Sequence, residues 1–138
     1  MPRYRPADAL NVGIVLLTAL LGVALWPRLP AEMAIHFSAS GVPDNYVPKA
    51  VGVALLPAIM LAVFLFVKTA FSYDPPSDSR VPTVVTVATT GFLGALHALV
   101  LAWNVGYPVP MDSVLVGALV WAVALCGYVY RREGVSLT

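Results

Sequence analysis

Charge is scarce in this chain. Eight Lys and Arg and seven Asp and Glu make only 11% of 138 residues charged, against about 25% in a soluble domain, which excludes an ordinary water-soluble globule. The balance leaves a formal net charge of +1, and the basic residues form no run, so no nucleic-acid partner is expected. The single cysteine, Cys126, excludes an intramolecular disulfide; set among Ala122, Ala124 and Gly127, it reads as a small buried hydrophobe. Histidine is nearly absent too, with only His36 and His97. A zinc site takes about three or four ligands, and neither histidine has a second His or a Cys nearby. No glycine-rich phosphate loop and no nucleophile elbow occurs. The chain is therefore read as not an enzyme, with no catalytic residue, metal or cofactor expected.

Apolar residues are abundant: 59% of the chain, with a mean hydropathy of +0.84. Four apolar runs stand out, at 10–26, 51–67, 82–103 and 113–130, each near the ~20 residues that a helix needs to cross the bilayer core. Backbone groups in lipid must be satisfied within the segment, so the runs are expected to be helices. The fold class is all-α: a polytopic membrane protein with four transmembrane helices, a structured outer loop between the first two, and a single membrane domain over 1–138. The first two runs are short, about 17 residues each, and Trp26 is placed as an aromatic interface anchor. The first run exceeds the roughly 7–15 apolar residues of a signal peptide and lacks a small-x-small site before Trp26-Pro27-Arg28, so it reads as a retained helix.

The basic residues set an orientation. With four spans, Arg3, Arg5, Lys68, Arg80, Arg131 and Arg132 share one side, and only Arg28 and Lys49 lie on the other. The positive-inside rule makes the richer side cytoplasmic. The expectation is a multi-pass protein of the cell membrane with both termini cytoplasmic and the 29–49 loop outside.

Proline and small polar residues punctuate the rest. Asp74-Pro75-Pro76 ends the second helix, because adjacent prolines remove donors and push the preceding residue out of the helical region. Pro82 suits the first turn of the third helix, while Asp8 and either Asp112 or Ser113 are candidate caps for the first and fourth. Pro57 lies within the second run and is expected to kink it. Gly117, Ala118, Ala122 and Cys126 offer a small-residue packing face on the fourth.

The third run carries a polar stripe. At about 100° per residue, Thr83, Thr86, Thr90, Gly94, His97 and Asn104 fall on one face, which should point into the bundle. Thr86, Thr90, His97 and Asn104 are the candidate intramembrane polar residues. Threonines can bond their own helix, but an imidazole at membrane depth is costly and is expected to have a polar partner or a function.

The loop between the first two runs is the longest polar connection. Gly41, Pro43, Asp44 and Asn45 have the chemistry of a tight turn, assigned to 41–45. Met33–Phe37 alternates weakly and reads as a short extended piece. Asp44 and Lys49 are expected to act together, as a pair or in a shared turn network. His36 has two readings, a structural hydrogen bond or a site residue, and so has Asp44.

This loop resembles the signature of the N-terminal domain of unknown function in the SdpI-type bacterial immunity proteins. That signature is Leu-Pro, Pro-x-His-Phe or Trp, then Gly-x-Pro-Asp-x-Tyr or Trp and a Lys. Leu29, Pro30, His36, Phe37, Gly41, Pro43, Asp44, Tyr46 and Lys49 match it in register. Ala34 stands where the family usually has its second proline, and Pro48 replaces a commoner small polar residue. The resemblance implies a small membrane protein whose relatives protect against a secreted toxic peptide and sequester a repressor at the membrane. It makes Pro30, His36, Phe37, Gly41, Pro43, Asp44, Tyr46 and Lys49 the candidate ligand-binding or signature residues. The partners it implies beyond the lipid bilayer are an extracellular peptide or a membrane-recruited repressor. The SdpI proteins themselves carry further membrane helices, and the short tail after Tyr130 is no repressor-docking domain. The other function classes are a transport-related or accessory bundle with a polar path along the third helix and an enzyme with His36 and Asp44 or Glu32 as acid, base or metal ligands, which the small number of ligands disfavours. Oligomeric state is left open.

Overall fold

The computed structural model describes residues 5–134; Arg3 and the tail beyond Gly134 lie outside them. Four long helices dominate: α1 (Pro6–Leu25), α2 (Lys49–Tyr73), α3 (Val81–Asn104) and α4 (Met111–Glu133). All four are long and apolar enough to cross a membrane. At ~1.5 Å per residue even the 20 residues of α1 match a hydrocarbon core of about 30 Å. The first two helices are longer than the 17-residue runs suggested. α1 begins four residues earlier and passes into a single 3-10 turn at Trp26–Arg28, and α2 reaches Tyr73. The ends that hydropathy missed carry Asp8, Lys68 and Thr69, which lower a local average without breaking a helix.

The capping differs in detail. Asp8 lies inside the first turn of α1, where its carboxylate accepts from the Arg5 N–H at 2.9 Å, the reciprocal half of a capping box. Asp112 likewise sits in the first turn of α4 and accepts from the Ser113 N–H at 2.7 Å, where a negative charge also suits the helix dipole.

Helices α1, α2 and α3 pack mutually, and α4 rests chiefly on α3. Close approach in the three-helix core is made by glycine. A Cβ on Gly22 would lie 2.8 Å from Val53 Cγ1, and one on Gly94 would lie 2.9 Å from Thr18 Oγ1. Small residues at such crossings let backbones approach where no hydrophobic force acts between helices in lipid. On α4 the expected small-residue face is covered only in part, with Ala118 and Ala122 half-buried. A Cβ on Gly117 or Gly127 would meet no neighbouring atom within 4 Å, and Cys126 is exposed rather than buried. The helix is held instead by a stacked pair, Phe92 and Trp121, at 4.2 Å between ring centroids.

The 29–49 loop is the second departure. It is an antiparallel hairpin of β1 (Glu32–Phe37) and β2 (Pro43–Pro48), a piece of β-structure in an otherwise helical membrane fold. The turn sits at Ser38–Val42, earlier than expected. The Ser38 N–H donates to Val42 O at 2.8 Å, and the Gly41 N–H donates to Ser38 O at 2.9 Å. Gly41 has φ +82°, a left-handed conformation that favours glycine. Pro43, Asp44 and Asn45 belong to a strand because each lies past the residue that reverses the chain.

Candidate functional site

The hairpin is seated on the bundle by residues of both its strands and its turn. Met33, fully buried, packs with Leu29, Val53 and Leu101, and Gly52 makes room for it: a Cβ there would lie 2.7 Å from Met33 Sδ. Burying a Met side chain stabilises by roughly 1.5–3 kcal/mol. Phe37 meets the edge of Trp103 at 5.2 Å between centroids, and Gly41 lies against the Asp112 amide at the start of α4.

Asn104 makes the most specific attachment. Its Oδ1 accepts from the Ala34 N–H at 2.9 Å, and its Nδ2 donates to Ala34 O at 2.8 Å and to Val100 O at 2.8 Å. The reason lies in strand periodicity. The Lys49 N–H donates to Ala31 O, so the bonded cross-strand pairs are Ala31/Lys49 and Met33/Val47, and both backbone groups of Ala34 point away from β2. The side-chain amide thus takes the place of a third strand. That geometry uses the N–H that alanine has at position 34 and proline lacks.

On the exposed surface, His36 Nδ1 lies 2.5 Å from Asp44 Oδ1. The two side chains are 68% and 46% exposed, and irregular pairing near Ile35 and Asp44 twists the strands locally, as bulges do. Asp44 does not pair with Lys49. Instead, Lys49 Nζ donates to Trp26 O at 3.0 Å and lies 5.1 Å from the Trp26 ring centroid, so Lys49 ties the base of the hairpin to the end of α1. Tyr46 and Pro30 are exposed, and Pro43 is half-buried. The signature residues therefore divide into two groups. Phe37, Gly41 and Lys49 attach the hairpin, while His36, Asp44 and Tyr46 face outward from it. Among the described residues no three His, Cys, Asp or Glu side chains gather as a ligand set, and Glu32 stays apart from the His36–Asp44 pair.

Below the hairpin, the stripe on α3 is buried at Thr86, Thr90 and His97 and half-buried at Asn104, whereas Thr83 is exposed. Its central partner is Asn11 of α1, which sequence reasoning missed. Asn11 is fully buried. Its Nδ2 donates to Ala7 O at 2.9 Å and to Thr86 Oγ1 at 3.2 Å, and Thr90 Oγ1 donates to its Oδ1 at 2.5 Å. The available signal was an asparagine near the start of an apolar run, a residue type that needs a partner at that depth. His97 is buried as well, but its Nε2 has no hydrogen-bond partner among the described residues. The expected polar partner on a neighbouring helix is not there: beside Gly94, one turn away, Ile14 and Met60 are apolar, and the Thr18 hydroxyl of α1 donates to Ile14 O at 2.7 Å instead.

At the opposite end of the bundle, Lys68 of α2 pairs with Asp8 of α1. Glu133 accepts from the Ser77 and Asp78 N–H groups at 2.7 and 3.0 Å, and Arg132 pairs with Asp78 at 3.1 Å. These contacts fasten the α2–α3 connection to the end of α4.

Comparisons with known proteins agree with the location of the loop. Residues 13–61 match a family described as Domain of unknown function (DUF1648), a stretch that runs from α1 through the hairpin into α2. The chain is similar to the uncharacterized membrane protein YbgB of Bacillus subtilis (strain 168), 35% identical over 49 residues, which are 36% of this chain and 54% of that protein. The chain thus spans about half the length of that relative. Residues 119–138 match a family described as Propeller, but the described part of that stretch is helical, and a helix forms no propeller blade, so this match carries no argument. No solved structure matches. The chain is a multi-pass membrane protein, and its residues 13–61 are similar to a membrane domain family of unknown function.

Proposed function

We propose that this protein is a non-enzymatic immunity or sensing protein of the SdpI type, whose hairpin faces the cell exterior and contacts an extracellular peptide. The observation that carries this reading is the division of the signature loop: one set of residues fixes the hairpin to the helix ends, and another, His36, Asp44 and Tyr46, is held outward on it. A hairpin attached at Ala34, Met33, Phe37 and Gly41 presents those three side chains in a fixed arrangement, which lowers the ordering cost of binding. The basic residues at the opposite end support the orientation, and relay through a repressor would then act at that end.

The test has two arms. In a Cys126→Ala background, a Cys at Ser40 should react with an impermeant thiol reagent on intact cells; labelling only after lysis places the hairpin inside and ends the proposal. In the second arm, a bacterial host expressing the chain is challenged with a panel of secreted membrane-active peptides. Survival should rise with the native chain and fall back with the combined His36→Ala, Asp44→Ala and Tyr46→Ala variant at equal membrane level.

A transport-related bundle is the second reading, favoured by the unpartnered Nε2 of the buried His97. Against it, Asn11, Thr86 and Thr90 satisfy one another and nearby backbone carbonyls, which is what a structural polar contact requires.

A further inference from the structure

A cavity of about 500 Å³ opens at the end of the bundle away from the hairpin, between the starts of α1 and α3 and the end of α2. Its size falls within the ~300–1,000 Å³ of small-ligand sites. Among the described residues, three charged side chains line it: Arg5, Lys68 and Asp8. Asp8 is already engaged by Lys68 and by the Arg5 N–H. A lysine ammonium has three donors, so Lys68 keeps donor capacity beyond Asp8, and the described lining residues carry one net positive charge. Hydroxyl donors come from Ser79 and Thr83, whereas the Ser72 and Thr86 hydroxyls donate to Thr69 O and Pro82 O; Phe71 and Pro76 make an apolar wall.

We propose that this cavity binds a phosphate ester carrying about one negative charge, through Arg5, Lys68 and the surrounding hydroxyls. Three features converge on that chemistry. The net charge of the lining complements a phosphodiester, and cations with hydroxyl donors suit its oxygens. The apolar wall suits a glycerol backbone or the start of an acyl chain. The depth also fits: α1 and α2 contain 20 and 25 residues, which at ~1.5 Å per residue brings their ends to the headgroup layer of a bilayer with a core of about 30 Å. Basic pockets between membrane helices at this level are suited to anionic headgroups. The same chemistry could be supplied by a phospholipid or by a soluble phosphodiester, and the experiment separates them.

The purified full chain is equilibrated in detergent with phosphatidylglycerol, with phosphatidylcholine, or with inorganic phosphate. Retained lipid is counted by native mass spectrometry, and the thermal midpoint is read in each case. Three variants accompany it. Arg5→Gln removes one cation while keeping the N–H that caps Asp8, Ser72→Leu narrows the cavity without changing charge, and Arg28→Gln removes a cation at the hairpin end as a control. Phosphatidylglycerol should be retained over phosphatidylcholine, with retention about five-fold weaker in Arg5→Gln, reduced in Ser72→Leu, and native in Arg28→Gln. If inorganic phosphate alone raises the midpoint, with the same pattern across the variants, the source is a soluble phosphate ester. Equal retention of both lipids with no response to phosphate overturns the proposal, and so does an equal loss in Arg5→Gln and Arg28→Gln. A variant whose midpoint without ligand falls well below the native value is read from the other cavity variant. The outcome is independent of which side the hairpin faces.

Discussion

Removing the Asn104 amide should undock the hairpin without melting it. In Asn104→Ala, the Ala34 N–H and C=O lose the partners they have at 2.9 and 2.8 Å. Ala34 is fully buried, so water reaches those groups only if the strand lifts. Each unsatisfied buried backbone group costs about 1–3 kcal/mol, which places the loss for the pair at roughly 2 kcal/mol or more. The hairpin has its own ladder, including the Met33/Val47 pair, and Lys49 still holds its base through Trp26 O. The cheapest response is therefore local lifting of β1 from the end of α3, of the kind that hydrogen exchange detects. At a factor of ten per 1.4 kcal/mol, 2 kcal/mol corresponds to about 30-fold faster exchange at the Ala34 amide. The Val47 amide, directed across the hairpin, should accelerate much less. The assay is residue-resolved hydrogen exchange of the native and Asn104→Ala chains in the same detergent. An Ala34 amide that exchanges at its native rate would refute the role given to Asn104, and equal acceleration at Ala34 and Val47 would show melting in place of undocking.

Other outcomes follow from the same contacts. Gly22→Ala sets a methyl 2.8 Å from Val53 Cγ1 whereas Gly117→Ala meets nothing; the first should lose about 1–3 kcal/mol by overpacking and the second should hold or gain stability, as read from unfolding in detergent. His97→Leu removes a buried nitrogen that has no partner, so the thermal midpoint should stay level or rise; a large fall would mean that the imidazole makes a stabilising bond. Double-mutant cycles should find His36 and Asp44 coupled by about 0.2–1 kcal/mol, the range for an exposed pair, and Asp44 and Lys49 additive, because Lys49 bonds Trp26 O instead. Asn11→Leu should cost about 0.6–1.7 kcal/mol, since Thr86 Oγ1 can still donate to Pro82 O and Thr90 Oγ1 to Thr86 O.

The sequence by itself determined the solvent. A chain with 11% charge and four long apolar runs can satisfy its backbone in lipid only as helices, and that statement needs no tertiary contact. It also located the one polar connection long enough to carry a specific surface, and a helical period was sufficient to place Thr86, Thr90, His97 and Asn104 on one face of the third run. Only the tertiary structure decided what those groups meet. Asn11 lies 79 positions from Thr90, and Ala34 lies 70 from Asn104. No local pattern encodes such pairings, because hydrogen-bond partners are chosen by the crossing of helices. The hairpin sits between these two cases. A turn centred on Ser40, three positions before the centre of the expected 41–45 turn, brings His36 and Asp44 to the same level of the hairpin, but the turn chemistry of Gly41, Pro43 and Asp44 permitted more than one register. The contacts of Met33 with the bundle and of Gly41 with the start of α4 selected one of them, since a strand whose one face is buried loses its core contacts when it slips by a residue.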